Sequence, residues 1–489
     1  MTKRDHESLD PSDWSRFREL GRRMIDDVAD HFARVRERRV WQQVPPEIVA
    51  RFEEPVPLEP QEPEDTYRDF REQVMPYTIG NTHPRFWGWV VGSGTHLGAL
   101  TELLAGALNV NAGGNDAANF VETQVIGWLK TMLGYPSRAS GLLVSGGSMA
   151  NIIGLAVARN TKADFDVRRE GLFGRPRMTL YTSVELHGSI VKAAELLGLG
   201  RDSIRMVPVD RDFRVDLTAL EAAIADDRAL GCQPFCIVGH AGTVNTGAID
   251  DLAGLARIAK REGLWFHVDG AFGALAALAP DLRPLIAGME QADSLAFDLH
   301  KWMHLPYDVG CVLIADELAH RKAFAFEVDY IKPARTGPTA MRTRFLDYDI
   351  VLSRSFRALK VWMHLKAFGA RKFGRLIQQN VEQARYLAQM VTANPTLELA
   401  APISLNVVTF RFVGEPRADD RELDEINEEL MYRFCDDGTF VVSSTELDGR
   451  FVLRTSIINH RTRRDDLELL VAETERCGRE ILANRRSRG

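Results

Sequence analysis

From residue 141 to 315, short apolar runs alternate with stretches of helical period. The runs are 142–145, 178–182, 204–209, 235–239, 265–268, 294–297 and 309–315. Between most of them lie segments with apolar positions three and four apart, such as 148–159, 189–197, 217–230 and 252–262. Runs of four to eight apolar residues bounded by turn residues read as buried strands, and the longer periodic stretches as helices. Strand and helix in alternation predict an α/β unit built on a mainly parallel sheet of seven strands. Ligands in such sheets bind at the carboxyl ends of the strands.

The flanks differ. Asp10-Pro-Ser-Asp opens a helix that Ser12 or Asp13 can cap, with Trp14, Phe17, Leu20, Met24, Val28, Phe32 and Val35 on one stripe. A stripe this apolar on an N-terminal arm needs a surface to cover, in its own chain or in a second subunit. Residues 44–64 are rich in proline and acidic side chains and read as an extended linker. A short helix over 67–74 follows, then two longer ones, about 95–108 and 117–133, the second stopped by Gly134. Residues 324–344 lack periodicity and contain Pro333, Gly337 and Pro338, the signature of a mobile loop. Beyond it the pattern predicts a long helix over 350–368 broken at Gly369. A helix (372–391), a strand (406–412), a helix (423–434), two strands (439–443 and 451–456) and a last helix (464–483) complete the chain. That order suits a small α+β unit with an antiparallel sheet. The expected division is a helical arm and pocket segment over 1–94, a large α/β domain over 95–371 and a small domain over 372–489.

Composition narrows the class. The chain has 489 residues, 45% hydrophobic and 26% charged, with a net charge of −7. That balance makes no electrostatic case for nucleic acid or an anionic membrane. No apolar run reaches the ~20 residues of a membrane span, and the first residues lack the apolar core of a secretory signal. Five dispersed cysteines, with no second pair beside Cys232 and Cys236, predict reduced thiols in a cytoplasmic protein rather than a metal site.

Four stretches at predicted strand ends carry chemistry. Ser145-Gly-Gly-Ser148 opens a helix, and its free N–H groups and dipole favour a phosphate. His187, starting the next helix, can stack on a flat ligand, move protons or simply cap. Asp269, in His267-Val-Asp-Gly-Ala271, is a carboxylate at a buried strand end that needs a cationic partner. Lys301 follows the strand 294–297 and lies between Leu299 and Trp302. Its stem can pack while its ammonium reaches water, or its amine can be a nucleophile towards a carbonyl. A phosphate site, a flat-ring neighbour, a buried carboxylate and an amine are together the parts of a pyridoxal phosphate (PLP) enzyme. His83-Pro-Arg-Phe-Trp-Gly-Trp89 reads equally as a pocket wall or a core plug between domains.

The chain resembles the group II PLP-dependent decarboxylases, which act on aromatic amino acids, glutamate or cysteine sulfinate. The resemblance spans about residues 10–480. It rests on Asp293-Ser…His300-Lys301-Trp302, His267-Val-Asp269-x-Ala271, His83-Pro-Arg-Phe86, Gly147-Ser148 with Asn151, and Phe451-Val-Leu-Arg454. It implies an aminotransferase-like (fold type I) architecture with helices on both faces of the sheet, and a homodimer whose N-terminal segments wrap the partner. It makes Lys301 the Schiff-base lysine and Asp269 the partner of the pyridine nitrogen. Ala271 would lie against the ring, with His187 stacked on its other face. Gly147, Ser148 and His300 would contact phosphate, with Ser353 approaching from the neighbouring subunit and Thr243 on the ring side. Tyr330, in Asp329-Tyr-Ile-Lys, matches a loop tyrosine that protonates the substrate carbon.

The implied reaction is decarboxylation of an L-amino acid, with an aromatic substrate expected and His83, Phe86, Trp87 and Trp89 as its pocket. An acidic substrate is the runner-up and needs a further cation, Arg85 or Arg342. An aminotransferase, a carbon–sulfur lyase or an aldehyde synthase on the same fold is the alternative chemistry. No metal is expected, nor any nucleic-acid or membrane partner. Asp298 beside the expected phosphate is the anomaly, because two negative charges repel unless the carboxylate is otherwise engaged.

Overall fold

The seven apolar runs pair into one sheet in the order β1-β7-β6-β5-β4-β2-β3. The strands are β1 (Ser140–Val144), β2 (Met178–Ser183), β3 (Ile204–Val207), β4 (Gln233–His240), β5 (Trp265–Asp269), β6 (Ser294–Asp298) and β7 (Gly310–Ile314). In this computed structural model residues 7–326, 336–337, 340 and 343–487 are described. β2, β3, β4, β5 and β6 run parallel, while β7 is antiparallel to both of its neighbours, β1 and β6. Two reversals restore direction, so the carboxyl ends of β1, β2, β4, β5 and β6 share one edge. Every residue of β1, β2, β5, β6 and β7 is buried, as expected of a sheet covered on both faces. Separate apolar clusters fill the two faces, one around Leu143, Phe266, Phe297 and Trp302, the other around Leu142, Ile153, Val238 and Val312.

A second sheet has the order β10-β11-β9-β8 and is antiparallel throughout. It comprises β8 (Leu397–Leu399), β9 (Val407–Phe412), β10 (Ser443–Leu447) and β11 (Arg450–Ser456). Helices Ala370–Ala393, Asp420–Asp436 and Arg464–Arg486 pack on it. The arm helix Trp14–Ala33 is capped by Asp13, whose carboxylate accepts from the N–H groups of Ser15 and Arg16. Its stripe is only partly covered: Leu20 and, just beyond the helix, Val35 are buried, whereas Trp14 and Phe17 are more than half exposed.

Several sequence expectations change. Residues 44–64 contain a helix, Pro46–Arg51, where proline at the first turn loses no hydrogen bond. The helix expected from residue 350 begins at Arg357, and Ile350, Val351 and Leu352 stand exposed on a loop. That loop is pinned by Arg354, which pairs with Glu122 at 2.5 Å and donates to the carbonyl of Leu143. The strand expected over 439–443 lies further on, at β10. Phe440, Val441 and Val442 are buried in the core outside the four-stranded sheet, where Val441 makes a single β-bridge with Phe86.

Candidate active site

The shared edge of the large sheet opens into two adjoining cavities. One, of about 380 Å³, is lined by Ser145, Gly147, Ser148, His300 and Tyr307. The other, of about 400 Å³, is lined by Trp89, Val90, His240, Val244, Phe272 and Arg454, among others. His187, Asp269, Ala271 and Lys301 line both.

Each arrives there for a local reason. Gly147 starts the helix Gly147–Lys162, and no side chain caps it, so its first N–H groups face the smaller cavity. A Cβ on Gly147 would stand 3.0 Å from Asp298 Oδ2, so only glycine fits this cradle without a shift. Asp269 ends β5 and Asp298 ends β6. Lys301 sits one turn on, in the short helix Leu299–Trp302, with Leu299 and Trp302 buried on either side. Lys301 Nζ lies 3.2 Å from Asp298 Oδ2. The Asp298 anomaly has its answer here: the carboxylate is turned to the ammonium of Lys301, with His300 Nε2 a further 3.7 Å contact. Gly92 lets the segment 83–92 press against this helix, since a Cβ there would fall 1.8 Å from the carbonyl oxygen of His300.

The electrostatics separate the groups. Burial pushes the Asp269 carboxyl up, but the charge of His240, a hydrogen bond from Asn151 and the charge of Lys301 outweigh it. The net result lies below the ordinary carboxylate range. Asp269 Oδ2 accepts from Asn151 Nδ2 at 2.9 Å, and Oδ1 accepts from the N–H of Ala271 at 3.1 Å. Burial lowers the pKa of His187 and of His300. Val309 N–H donates to His300 Nδ1 at 3.1 Å, which leaves the proton of the neutral ring on Nε2. Arg454 is buried, and burial lowers its pKa to about 10, leaving it charged at neutral pH. It donates to the carbonyls of Trp89, Val244 and Asn245 and to Ser443 Oγ, and no carboxylate among the described residues pairs with it.

A free helix start for an anion, a lysine amine and an ionised buried carboxylate around one cavity fit a phosphorylated pyridine aldehyde. Residues 45–413 match the pyridoxal-dependent decarboxylase conserved domain.

The chain belongs to the pyridoxal-dependent decarboxylase family.

This decarboxylase is a PLP-dependent carboxy-lyase. It is 33% identical over 470 residues to the aromatic-L-amino-acid decarboxylase of Bacillus atrophaeus, with 95% of this chain and 96% of that one covered. Its fold is that of Oryza sativa TDC with PLP and tryptamine, at a TM-score of 0.90 and 24% identity over 97% of this chain and 100% of that one. It is also similar to Rhodiola rosea 4-hydroxyphenylacetaldehyde synthase, with a TM-score of 0.87 and 25% identity over 96% and 100% of the two chains.

Not every expected residue of the decarboxylase meets at the cavities. Gly147, Ser148, His187, Asp269, Ala271, His300 and Lys301 do. Thr243 is turned away: its Oγ1 sits 3.1 Å from Thr246 Oγ1 and accepts from the N–H of Ala248, closing its own loop. Ser353 is exposed on the loop held by Arg354 and lines neither cavity of its own chain. The aromatic pocket expectation is corrected. Phe86 packs with Val40 and Val441, Trp87 stacks on Phe440 in the small-sheet core, and His83 lines a separate cavity beside Arg38 and Trp41. Of that stretch Trp89 alone lines the larger cavity, on a left-handed backbone with φ 52°. Arg85 donates to Asp466 at the start of the last helix, outside both cavities, and Tyr330 and Arg342 lie outside the described residues. His240 and Tyr307 were missed, and Arg454 was marked only as part of the Phe451–Arg454 family motif, with no role in the site. His240 ends β4, so the strand-end rule that singled out Asp269 applies to it equally.

Proposed function

We propose that this decarboxylase converts an aromatic L-amino acid into its amine and carbon dioxide. One observation carries the aromatic reading: the cavity beside Lys301 is walled by Trp89, Val90, Val244 and Phe272 and, among the described residues, contains a single arginine, Arg454. A flat apolar side chain gains from such walls. An acidic substrate would need one cation for each of its two carboxylates. Arg85 is engaged elsewhere, and no further arginine lines the cavity among the described residues.

When bound, PLP would supply an aldehyde for the substrate's amine and an electron sink for its α-carbon. The chain supplies the rest. The first-turn N–H groups of Gly147 and Ser148 would hold the phosphate, and Ala271 and His187 would border the ring. Asp269 stays ionised and would keep the ring nitrogen protonated. Lys301 provides the amine, and Arg454 would orient the substrate carboxylate. Tyr330 would deliver a proton to the α-carbon, a placement that favours amine over aldehyde as product. Ser353, contributed across a two-fold homodimer, and Thr243, through its loop, would complete the cofactor site. The five unpaired cysteines support a cytoplasmic setting.

Carbon dioxide release measured across the amino acids should be confined to tryptophan, tyrosine or their relatives. Release from glutamate or aspartate alone would end the aromatic reading. In the same assay Tyr330→Phe should keep carbon dioxide release while part of the product becomes aldehyde, with dioxygen consumed and ammonia and hydrogen peroxide released. An unchanged ratio of amine to carbon dioxide would remove Tyr330 from the proton step.

A further inference from the structure

We propose that Trp265, Ser294, His267 and Asn151 form a hydrogen-bond relay of one fixed direction that positions Asp269 against the cofactor's ring nitrogen. The proposal rests on the reading of Asp269 as the partner of that nitrogen.

Trp265, His267 and Asp269 alternate along β5, so their side chains share one face of the sheet. Ser294 of β6 is the register partner of His267. The helix Gly147–Lys162 crosses the same face and brings Asn151. Trp265 Nε1 lies 2.7 Å from Ser294 Oγ, and Ser294 Oγ lies 2.7 Å from His267 Nδ1. His267 Nε2 is 2.9 Å from Asn151 Oδ1, and Asn151 Nδ2 is 2.9 Å from Asp269 Oδ2. All five side chains are buried.

Both ends fix the direction. An indole N–H only donates, so Ser294 must accept from Trp265. An ionised carboxylate only accepts, so Asn151 must present its NH₂ to Asp269; the opposite amide orientation would set oxygen against oxygen. Asn151 Oδ1 then faces His267 and requires a proton on Nε2. With that proton on Nε2 of a neutral ring, Nδ1 accepts from the Ser294 hydroxyl. Every donor therefore points towards Asp269. The second Asn151 N–H reaches Ser189 Oγ at 3.0 Å, which stops the amide from turning. Gly154 makes the room, since a Cβ there would stand 2.7 Å from His267 Cε1.

Neutral donors hold the carboxylate in place without cancelling its charge. Asp269 thus reaches the cavity both oriented and anionic, free to pair with a protonated ring nitrogen. Trp265, Ser294, His267 and Asn151 act through Asp269 and are positioning residues.

The test compares binding of PLP with binding of its analogue carrying carbon in place of the ring nitrogen, each titrated into apoprotein and followed by tryptophan fluorescence. The wild type should prefer PLP. Asn151→Leu should weaken PLP binding about tenfold, the value of one hydrogen bond to a charged group, and Ser294→Ala, which removes a neutral hydrogen bond, about fivefold, while affinity for the analogue stays within about twofold in both. Equal losses for both ligands would reduce the four residues to core packing and overturn the relay, as would unchanged PLP binding in both variants. A wild type with no preference between the ligands would instead remove Asp269 as the ring-nitrogen partner, and the relay with it.

Discussion

Lys301 shows how one side chain can satisfy two demands. It lies in a short helix with the buried Leu299 and Trp302, while its nitrogen meets Asp298 at 3.2 Å and its side chain lines both cavities. The paired carboxylate keeps the amine at the wall shared by both cavities rather than out in solvent. Lys301→Ala should lower turnover at least ~1000-fold, the scale seen when a reacting group is deleted. The variant should still bind PLP through the helix start at Gly147, with the visible spectrum of the unlinked aldehyde. Wild-type turnover in that variant would mean that another amine reacts. The aromatic stretch 83–89 holds a different lesson. Its residues look alike in sequence, yet Phe86 and Trp87 are core and Trp89 is cavity wall. Composition marks such residues as large and apolar; only the fold of the backbone between Trp87 and Trp89 assigns each to a side.

At the scale of elements, the loop 350–356 depends on the buried ion pairs of Arg354, with Glu122 at 2.5 Å and with Asp349 at 3.6 Å. Arg354 gives hydrogen bonds to both oxygens of Glu122, at 3.0 and 2.5 Å, and its guanidinium lies over the ring of Phe345. Glu122 in turn accepts from the N–H of Leu143 in β1. Helix Ala117–Leu133, the sheet edge and the Ser353 loop are therefore joined at one point. Arg354→Ala leaves the buried carboxylates of Glu122 and Asp349 without their partner and should cost about 3–5 kcal/mol in urea denaturation. Glu122→Gln/Arg354→Met, which removes the charges of that pair and leaves only Asp349 without its cation, should recover part of that loss. An equal loss in the double variant would show that packing rather than charge holds the loop.

For the whole molecule, two properties follow from where polar and apolar surface ends up. The arm helix borders an apolar groove of about 940 Å³ with Tyr67, Phe70 and Met75, and its exposed end carries Trp14 and Phe17. In the proposed homodimer a partner subunit covers this surface. Deleting residues 1–33 should spare the anchors Val35 and Val40 yet yield monomer with little activity in size-exclusion and turnover assays. A fully active dimer from that truncation would place the interface elsewhere. The second property is acid sensitivity. Burial pushes His83, His267, His320 and His364 down to about 4 from the ordinary 6.5. The unfolded chain takes up these protons near 6.5 and the folded chain does not. Their contribution is therefore complete above 6.5 and is lost as pH falls to about 4, with each histidine adding a slope of up to about 1.4 kcal/mol per pH unit. Denaturation at pH 7, 6 and 5 should show this decline; a flat profile would mean that the rings are protonated in the folded state.

Sequence periodicity alone located all seven strands of the large sheet; for the five strands buried throughout the reason is that a strand covered on both faces must be a nearly unbroken apolar run whatever its neighbours are. It also marked Lys301, Asp269, His187 and the Gly147 turn, because each interrupts such a run where only a ligand or an ion partner makes a polar group affordable. It misplaced β10 and missed β8, since a short strand with polar faces carries no such signature. It could not separate the plug residues Phe86 and Trp87 from the wall residue Trp89, nor see that Arg454, more than 150 residues beyond Lys301, enters the same cavity. Those assignments depend on contacts between distant segments. Residue type states that a side chain must be buried or paired, and only the tertiary structure decides against what.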